Sequence, residues 1–346
     1  METSFSDAQI SSTRYKEIYD LELSDASDSV KELIEMPILE LESMDDYKNR
    51  LAKINMLSFN QNASTSEKPI GLQGNNFYKN RYTDIIPSDK SRVIFKNSSF
   101  CDYINASWYG KEAILTQGPL YHTVSEFWLM VFENNGIIVC VTDESDKNKI
   151  KTANYWDKVP LFVPSPNGSC GNSVDDAYEE VPTEYAVDTE YTVDGITISL
   201  KVKPIGDPET IAAHGDKKII CSNFEVSLGD EKKTISRLYL ENWPDHGICS
   251  PKLLVKLIAL FPNNFIPVIH CSAGIGRSGV VAIIMHFINA YNSNMTIPTE
   301  NEIDTEIVNL REARPGIVQT YGQRQLITAT LLEYYSSSGN KSKPAL

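Results

Sequence analysis

The sequence predicts an α/β domain, and three observations carry that expectation. A β-branched apolar run, Ile266-Pro267-Val268-Ile269, meets a glycine-bearing loop that leads into a long apolar stretch at 280–291, the order of buried strand, loop and helix. Short apolar segments of strand length alternate with stretches of helical period between residues 77 and 335. The 346 residues, 41% of them hydrophobic, can supply a full core for one large domain or two small ones.

In chain order, residues 1–30 read as an acidic, polar extension with little periodicity. Ser27-Asp28-Ser29-Val30 before Leu33, Ile34 and Met36 suggests a capped helix that Pro37 interrupts, and 39–57 again carries apolar residues at helical spacing. A polar loop is expected over 60–76. Arg92-Val93-Ile94-Phe95, Tyr103-Ile104 and Ala113-Ile114-Leu115 are short apolar segments between turns. A helix is expected over 124–134 and a buried strand over 136–141. Residues 163–192, rich in Pro, Gly, Ser and acidic residues without a clear period, read as an exposed insertion. Strands are expected at 196–202, 218–224 and 234–240, and helices at 252–261, 298–310 and 323–335. The domain is thereby set at 31–338, followed by a polar tail, 339–346.

The formal net charge of −14 is uneven. Residues 1–50 and 163–200 carry −8 each, so the remainder sums to +2. Acidity confined to appendages disfavours nucleic acid and anionic membranes as partners. The apolar run near 280–288 is too short to span a bilayer, so no membrane insertion is expected, and the acidic N-terminal residues lack the apolar core of a secretory signal. Cys101, Cys140, Cys170, Cys221, Cys249 and Cys271 show no CxxC spacing. That argues against a zinc site or a disulfide framework and for a reduced, cytoplasmic compartment, with no metal and no other cofactor.

The richest segment is His270-Cys271-Ser272-Ala273-Gly274-Ile275-Gly276-Arg277-Ser278-Gly279. A loop between a buried strand and a helix N-terminus turns backbone N–H groups inward and forms an anion cradle. Gly274 and Gly276 allow close backbone approach. In such a cradle Cys271 ionises early, because donors and dipole favour the thiolate. The Arg277 guanidinium can grip two phosphate oxygens in fork geometry. A thiolate facing a clamped phosphoryl group is a positioned nucleophile. A proton donor is also needed for the leaving oxygen. Trp243-Pro244-Asp245-His246-Gly247, with Asp245 26 residues before Cys271, offers one on an expected loop.

The Cys271 run resembles the active-site loop of the tyrosine-specific, cysteine-dependent protein tyrosine phosphatases at every specified position. Around it, Asn80-Arg81-Tyr82, Asp102-Tyr103-Ile104-Asn105-Ala106-Ser107, Thr116-Gln117-Gly118-Pro119, Trp243-Pro244-Asp245-His246-Gly247 and Val318-Gln319-Thr320-Tyr321-Gly322-Gln323 follow in the family's order, and the likeness runs from about residue 40 to 335. It implies a twisted mixed β-sheet flanked by α-helices, with the catalytic loop between a central strand and a helix. It further implies hydrolysis of phosphotyrosine in proteins, which would be the partners, through a cysteinyl phosphate, without metal.

The residue roles follow from the same resemblance. Cys271 maps to the nucleophile, Asp245 to the general acid, Trp243, Pro244 and Gly247 to the hinge of its loop, and Arg277 to the phosphoryl clamp. The loop positions Ser272, Ala273, Gly274, Ile275 and Gly276 map to the amides that hold the phosphate. Ser278 can donate to the departing thiolate, and His270 fixes the loop from behind. Gln319, helped by Gln323, maps to the residue that positions the hydrolytic water. Tyr82 would form an aromatic wall that makes the pocket deep, Asp84 would bind the substrate backbone, and Lys151 would contact the acid loop on closure. Gly316 would keep the pocket entrance open. Two departures stand out: Asp146 occupies a position that usually holds a Glu paired with the catalytic arginine, and the 163–192 stretch is longer than usual. Closure of the acid loop is expected to raise the Asp245 pKa by desolvation. Two alternatives stay open: a pseudophosphatase that binds phosphotyrosine without turnover, and a dual-specificity phosphatase, against which Tyr82 argues. Tyr178, Tyr185 and Tyr191, in acidic surroundings, are either solvated surface residues or sites of phosphorylation.

Overall fold

The computed structural model describes residues 69–96, 102–146, 149–157, 187–193 and 196–339. The extension 1–30, the helices expected between 27 and 57, the tail beyond 339 and most of 163–192, including Tyr178 and Tyr185, lie outside the described residues. Ten strands are described: β1 (Ala106–Tyr109), β2 (Ala113–Thr116), β3 (Gly136–Cys140), β4 (Ser145–Asp146), β5 (Lys149–Ile150), β6 (Val187–Val193), β7 (Ile196–His214), β8 (Lys217–Leu228), β9 (Glu231–Leu240) and β10 (Ile266–His270). The helices are α1 (Val124–Glu133), α2 (Pro251–Ala259), α3 (Gly276–Asn294), α4 (Glu300–Ala313) and α5 (Tyr321–Gly339).

Eight strands form one mixed sheet in the order β1-β2-β10-β3-β9-β8-β7-β6, and β4 and β5 pair separately. Strands β2, β10, β3 and β9 run parallel, while β1 and the β9-β8-β7-β6 arm are antiparallel. Alternate side chains of the parallel strands go to opposite faces. Leu115, Ile137, Val139 and Ile269 pack with α2, α3, α4 and α5 on one face. Ile114, Ile138 and Val268 pack with Phe127, Trp128 and Val131 of α1 on the other. All seven of these strand residues are at most 4% exposed, and full burial of each contributes roughly 1.5–3 kcal/mol. Helix α3 is buried nearly all round, which is why its sequence reads as a continuous apolar run instead of an amphipathic one.

This topology positions the site. The carboxyl ends of four parallel strands lie along one edge of the sheet, where open α/β sheets bind ligands. From there β2 delivers Gln117-Gly118, β3 delivers 141–151, β9 delivers Trp243-Pro244-Asp245, and β10 delivers Cys271.

Three expectations need correction. Residues 187–193 are not part of an irregular insertion; they pair antiparallel with β7 as the edge strand β6. The polar loop expected at 60–76 ends in 3₁₀ turns over Ile70–Leu72 and Gly74–Lys79. Strand β7 continues to His214, well past 202, because a register shift between Ile205 and Glu209 absorbs the Gly206-Asp207-Pro208 interruption as a bulge. Among the described residues, no helix is long and apolar enough to cross a membrane.

Candidate active site

The segment 271–276 leaves β10 and enters α3 as a tight cradle around Cys271, which is 3% exposed. Its carbonyls are turned outward and tied down. Buried Arg314 donates to the carbonyls of Gly274 (2.7 Å) and Ala273 (2.8 Å), and the Gly118 N–H donates to the Ser272 carbonyl (2.9 Å). With the carbonyls engaged outside, the amides are left for the interior. The Gly274 N–H already donates to the Cys271 sulfur at 3.3 Å.

The sulfur has other support. The Ser278 hydroxyl is fully buried with no other hydrogen-bond partner, and it faces Cys271. Burial alone would raise the thiol pKa. The Arg277 charge, the Ser278 hydroxyl and amide, and the Gly274 amide outweigh it and hold the thiol below its ordinary value.

Gly274 has φ of +72°, and a Cβ there would sit 2.1 Å from the Thr116 carbonyl oxygen. Backbone cannot move aside as a flexible side chain does. Gly274→Ala is therefore expected to displace the cradle, lowering stability by at least the roughly 1–2 kcal/mol of a left-handed L-residue. Thermal unfolding should show the loss, together with a thiol titrating closer to an unperturbed cysteine.

The acid loop lies over the cradle. Arg277 is 3% exposed and donates to the Trp243 carbonyl at 2.6 Å and to Asp245 Oδ1 at 3.1 Å. Lys151 Nζ meets Asp245 Oδ2 at 2.6 Å. Trp243 is fully buried, and its indole N–H donates to the Gly247 carbonyl at 3.1 Å, closing the loop on itself. Burial favours the neutral Asp245 carboxyl, but the Lys151 hydrogen bond and the Arg277 and Lys151 charges hold its pKa below the usual carboxylate range. This is opposite to the expected upward shift: with Lys151 and Arg277 both on the carboxylate, the two cations outweigh desolvation. Asp146 lines the same cavity of about 260 Å³ as Asp245 and Arg277, yet the side-chain partner of Arg277 is Asp245.

The remaining expected residues converge to different degrees. The Tyr82 hydroxyl lies 2.9 Å from Ser272 Oγ, at the mouth of the cradle. A Cβ on Gly276 would lie 2.5 Å from Gln319 Oε1 and 2.9 Å from Gln323 Nε2, so both amides sit against the start of α3. Gln323 also accepts the Gln319 N–H at 2.8 Å. His270 is fully buried behind the loop, its Nε2 2.6 Å from the Tyr155 hydroxyl and its Nδ1 3.2 Å from the Cys271 carbonyl. Asp84 is an exposed carboxylate on the Tyr82 segment.

Known proteins resemble this chain in sequence and in fold. The sequence profile described as protein-tyrosine phosphatase matches residues 76–165 and 175–333. The chain belongs to the protein-tyrosine phosphatase family. It is 34% identical over 247 residues to tyrosine-protein phosphatase 1 of Dictyostelium discoideum, covering 65% of this chain and 42% of that protein. It is 30% identical over 272 residues to human tyrosine-protein phosphatase non-receptor type 2, covering 74% of this chain and 55% of the relative. The chain thus spans about half the length of these relatives. Its fold is similar to that of the solved catalytic domain of human protein tyrosine phosphatase non-receptor type 18, with a TM-score of 0.65 at 22% identity, over 89% of this chain and all of that one. Another solved structure of similar fold is a complex of that phosphatase with HER2 phosphopeptides.

Arg314 escaped the sequence reading, and Asn80, Arg81 and Asn105 had no role in it beyond their place in motifs. Arg314, which ties down the catalytic loop, also donates to Asn105 Oδ1 at 2.7 Å. Asn105 in turn donates to Asn80 Oδ1 at 2.9 Å, and Asn80 Nδ2 donates to the Gly71 carbonyl at 2.7 Å. Arg81 donates to the carbonyls of Gly118, Pro119 and Ile150. Asn80 and Arg81 therefore hold the Tyr82 segment in place, while Tyr82 faces the cradle. The signal for Arg314 was its place in Arg314-Pro315-Gly316, two residues before Gly316.

Proposed function

We propose that this domain hydrolyses phosphotyrosine in proteins through a cysteinyl-phosphate intermediate. The observation that carries the reading is one stabilised thiol, one buried guanidinium and one carboxylate together: Asp245 is hydrogen-bonded to Arg277, whose charge also favours the Cys271 thiolate. In the first step the Cys271 thiolate attacks phosphorus, and the bond to the tyrosine oxygen breaks. Arg277 and the amides of 272–276 stabilise the equatorial oxygens, and Asp245 protonates the departing phenolate. An arriving phosphate competes with Asp245 for Arg277. That exchange removes one cation from the carboxylate and adds a nearby anion, which raises its pKa at the moment a proton is needed. In the second step Gln319 and Gln323 hold a water, Asp245 takes its proton, and the thiolate leaves with the Ser278 hydroxyl donating to it.

Tyr82 supports a deep pocket that a phosphoserine side chain cannot fill. The HER2 phosphopeptide complex of the similarly folded phosphatase supports tyrosine-phosphorylated proteins as substrates here. Among the described residues Cys140, Cys221 and Cys271 form no disulfide, which suits a cytoplasmic role in signalling. The test is one assay with a phosphotyrosine peptide beside its phosphoserine counterpart. Turnover of the first and at least about 100-fold slower turnover of the second is expected, a discrimination of about 2.7 kcal/mol. Equal rates would favour a dual-specificity enzyme, and tight binding without turnover a pseudophosphatase.

A further inference from the structure

Behind the catalytic loop lies a second thiol that the mechanism does not use. Cys140, at the end of β3, is fully buried and is the register partner of His270 on β10. On the next strand Arg237 is 3% exposed. Its guanidinium stacks against Trp156, 4.0 Å from the ring centre, and against Tyr239 at 4.6 Å. Its Nε donates to the Tyr155 hydroxyl at 3.2 Å, and one terminal nitrogen lies 3.5 Å from the Cys140 sulfur. Among the described residues, no carboxylate pairs with Arg237. A buried guanidinium cannot shed its proton, so an unbalanced positive charge would remain in the core. The sulfur within its reach is the available counter-charge.

Hydrogen-bond direction gives the charge a consequence. A guanidinium only donates, so the Tyr155 oxygen accepts from Arg237 and its own proton is free to point onward. His270 Nε2, at 2.6 Å, is the acceptor that proton meets. That fixes the proton of a neutral His270 on Nδ1, where it donates to the Cys271 carbonyl at 3.2 Å. The chain Arg237–Tyr155–His270–Cys271 therefore runs one way, from the β9 cation to the backbone of the nucleophile. On its other side Arg237 stacks on Tyr239, whose hydroxyl donates to Asp143 Oδ1, and that oxygen also accepts the Asn242 N–H at 3.1 Å, next to Trp243. One guanidinium thus braces both the catalytic loop and the base of the acid loop.

We propose that Cys140 and Arg237 form a buried thiolate–guanidinium pair that positions the Cys271 loop through Tyr155 and His270. The groups facing the sulfur are His270 from β10, Arg237 and Tyr239 from β9 and Tyr155 from the segment after β5, and α1 adds the neutral rings of Phe127 and Trp128 around Tyr155. One contact opposes the assignment. The sulfur lies 3.3 Å from the Thr142 carbonyl, to which a thiol would donate. That S–H bond is weak, and giving it up costs less than leaving Arg237 unbalanced. Burial raises the Cys140 thiol while His270, when protonated, Arg237 and the Thr142 backbone lower it; with His270 neutral, as in the chain above, Arg237 and the Thr142 backbone remain to favour the thiolate.

Only the kinetic part of the proposal rests on the phosphatase reading. The first experiment does not depend on it: thiolate absorbance in the ultraviolet is titrated in Cys271→Ser and in the double variant Cys271→Ser/Cys140→Ser. A difference of one thiolate per chain at neutral pH, lost on acidification or on adding Arg237→Met, is expected. No difference until the pH of an ordinary thiol, about 8.5, would overturn the pair, whether or not the protein is a phosphatase. The second compares Cys140→Val with Cys140→Asp, which restores a negative charge without sulfur. In the valine variant kcat should fall about tenfold with KM within about twofold, and the aspartate variant should recover most of kcat. Equal loss in both folded variants would mean that Cys140 serves packing alone and that the pair does not position the loop.

Discussion

Replacing Cys271 with serine is expected to lower turnover of a phosphotyrosine peptide by on the order of 10⁴-fold or more, while peptide binding survives. The change keeps the cradle: serine is smaller than cysteine, the Gly274 amide still points at the side chain, and Arg277 retains its place on α3. What disappears is an ionised nucleophile, because nothing around residue 271 can bring a serine hydroxyl to ionise near neutral pH. Arg277→Ala should act differently, weakening binding and rate together, since it removes the fork that recognises the phosphoryl group and also unties Trp243 and Asp245. Turnover and equilibrium binding, measured on the same peptide, separate the two behaviours.

Asp245→Asn is expected to cost roughly 10²–10⁴-fold in rate, the usual range for a positioned general acid. The pH dependence carries the diagnosis. Activity needs Cys271 ionised and Asp245 protonated, and in the free protein both pKa values are depressed. The kcat/KM profile should therefore be bell-shaped with an acidic optimum, corrected for ionisation of the substrate phosphate. Its acidic limb rises as Cys271 ionises, and its alkaline limb falls as Asp245 loses its proton. In Asp245→Asn the alkaline limb should flatten while the acidic one persists. Lys151→Met removes the shortest contact on the carboxylate, so in that variant the alkaline limb should move to higher pH. Aryl phosphates with poor leaving groups should suffer most from the loss of Asp245. An Asn variant that keeps the parent's alkaline limb would place the acid elsewhere.

The legible part of the site was the part written in contiguous sequence. Cys271, Arg277 and Ser278 share one loop and helix start, so residue type and spacing pointed to them; Asp245 sits in a five-residue motif whose role came from the family resemblance. The contact expected between Lys151 and the acid loop is present as an ion pair with Asp245. The supporting residues were not legible, because each acts across the sheet. Arg314, Asn105 and Asn80 touch through segments more than 20 residues apart, and a single arginine before a proline carries no periodic signal. Arg237 and Cys140 each read as one more residue in a strand, and only the register of β3, β9 and β10 brings them to His270. The direction of the Asp245 pKa was missed for the same reason: desolvation can be anticipated from burial, whereas the simultaneous approach of Lys151 and Arg277 is a property of the folded loop. The strand errors have a local cause. Pro204, Gly206 and Pro208 look like breakers in sequence, yet a bulge lets β7 run past them.

The central claim is that phosphate passes through a covalent bond to Cys271. Rapid acid quenching of the protein with a phosphotyrosine peptide bearing radiolabelled phosphate tests it most directly, using Gln319→Ala to slow the hydrolytic step. The account expects label on the chain during turnover, mapped to the peptide containing Cys271 and absent from Cys271→Ser. Turnover by the parent with no label on Cys271, in a quench fast enough to sample the first cycle, would contradict it.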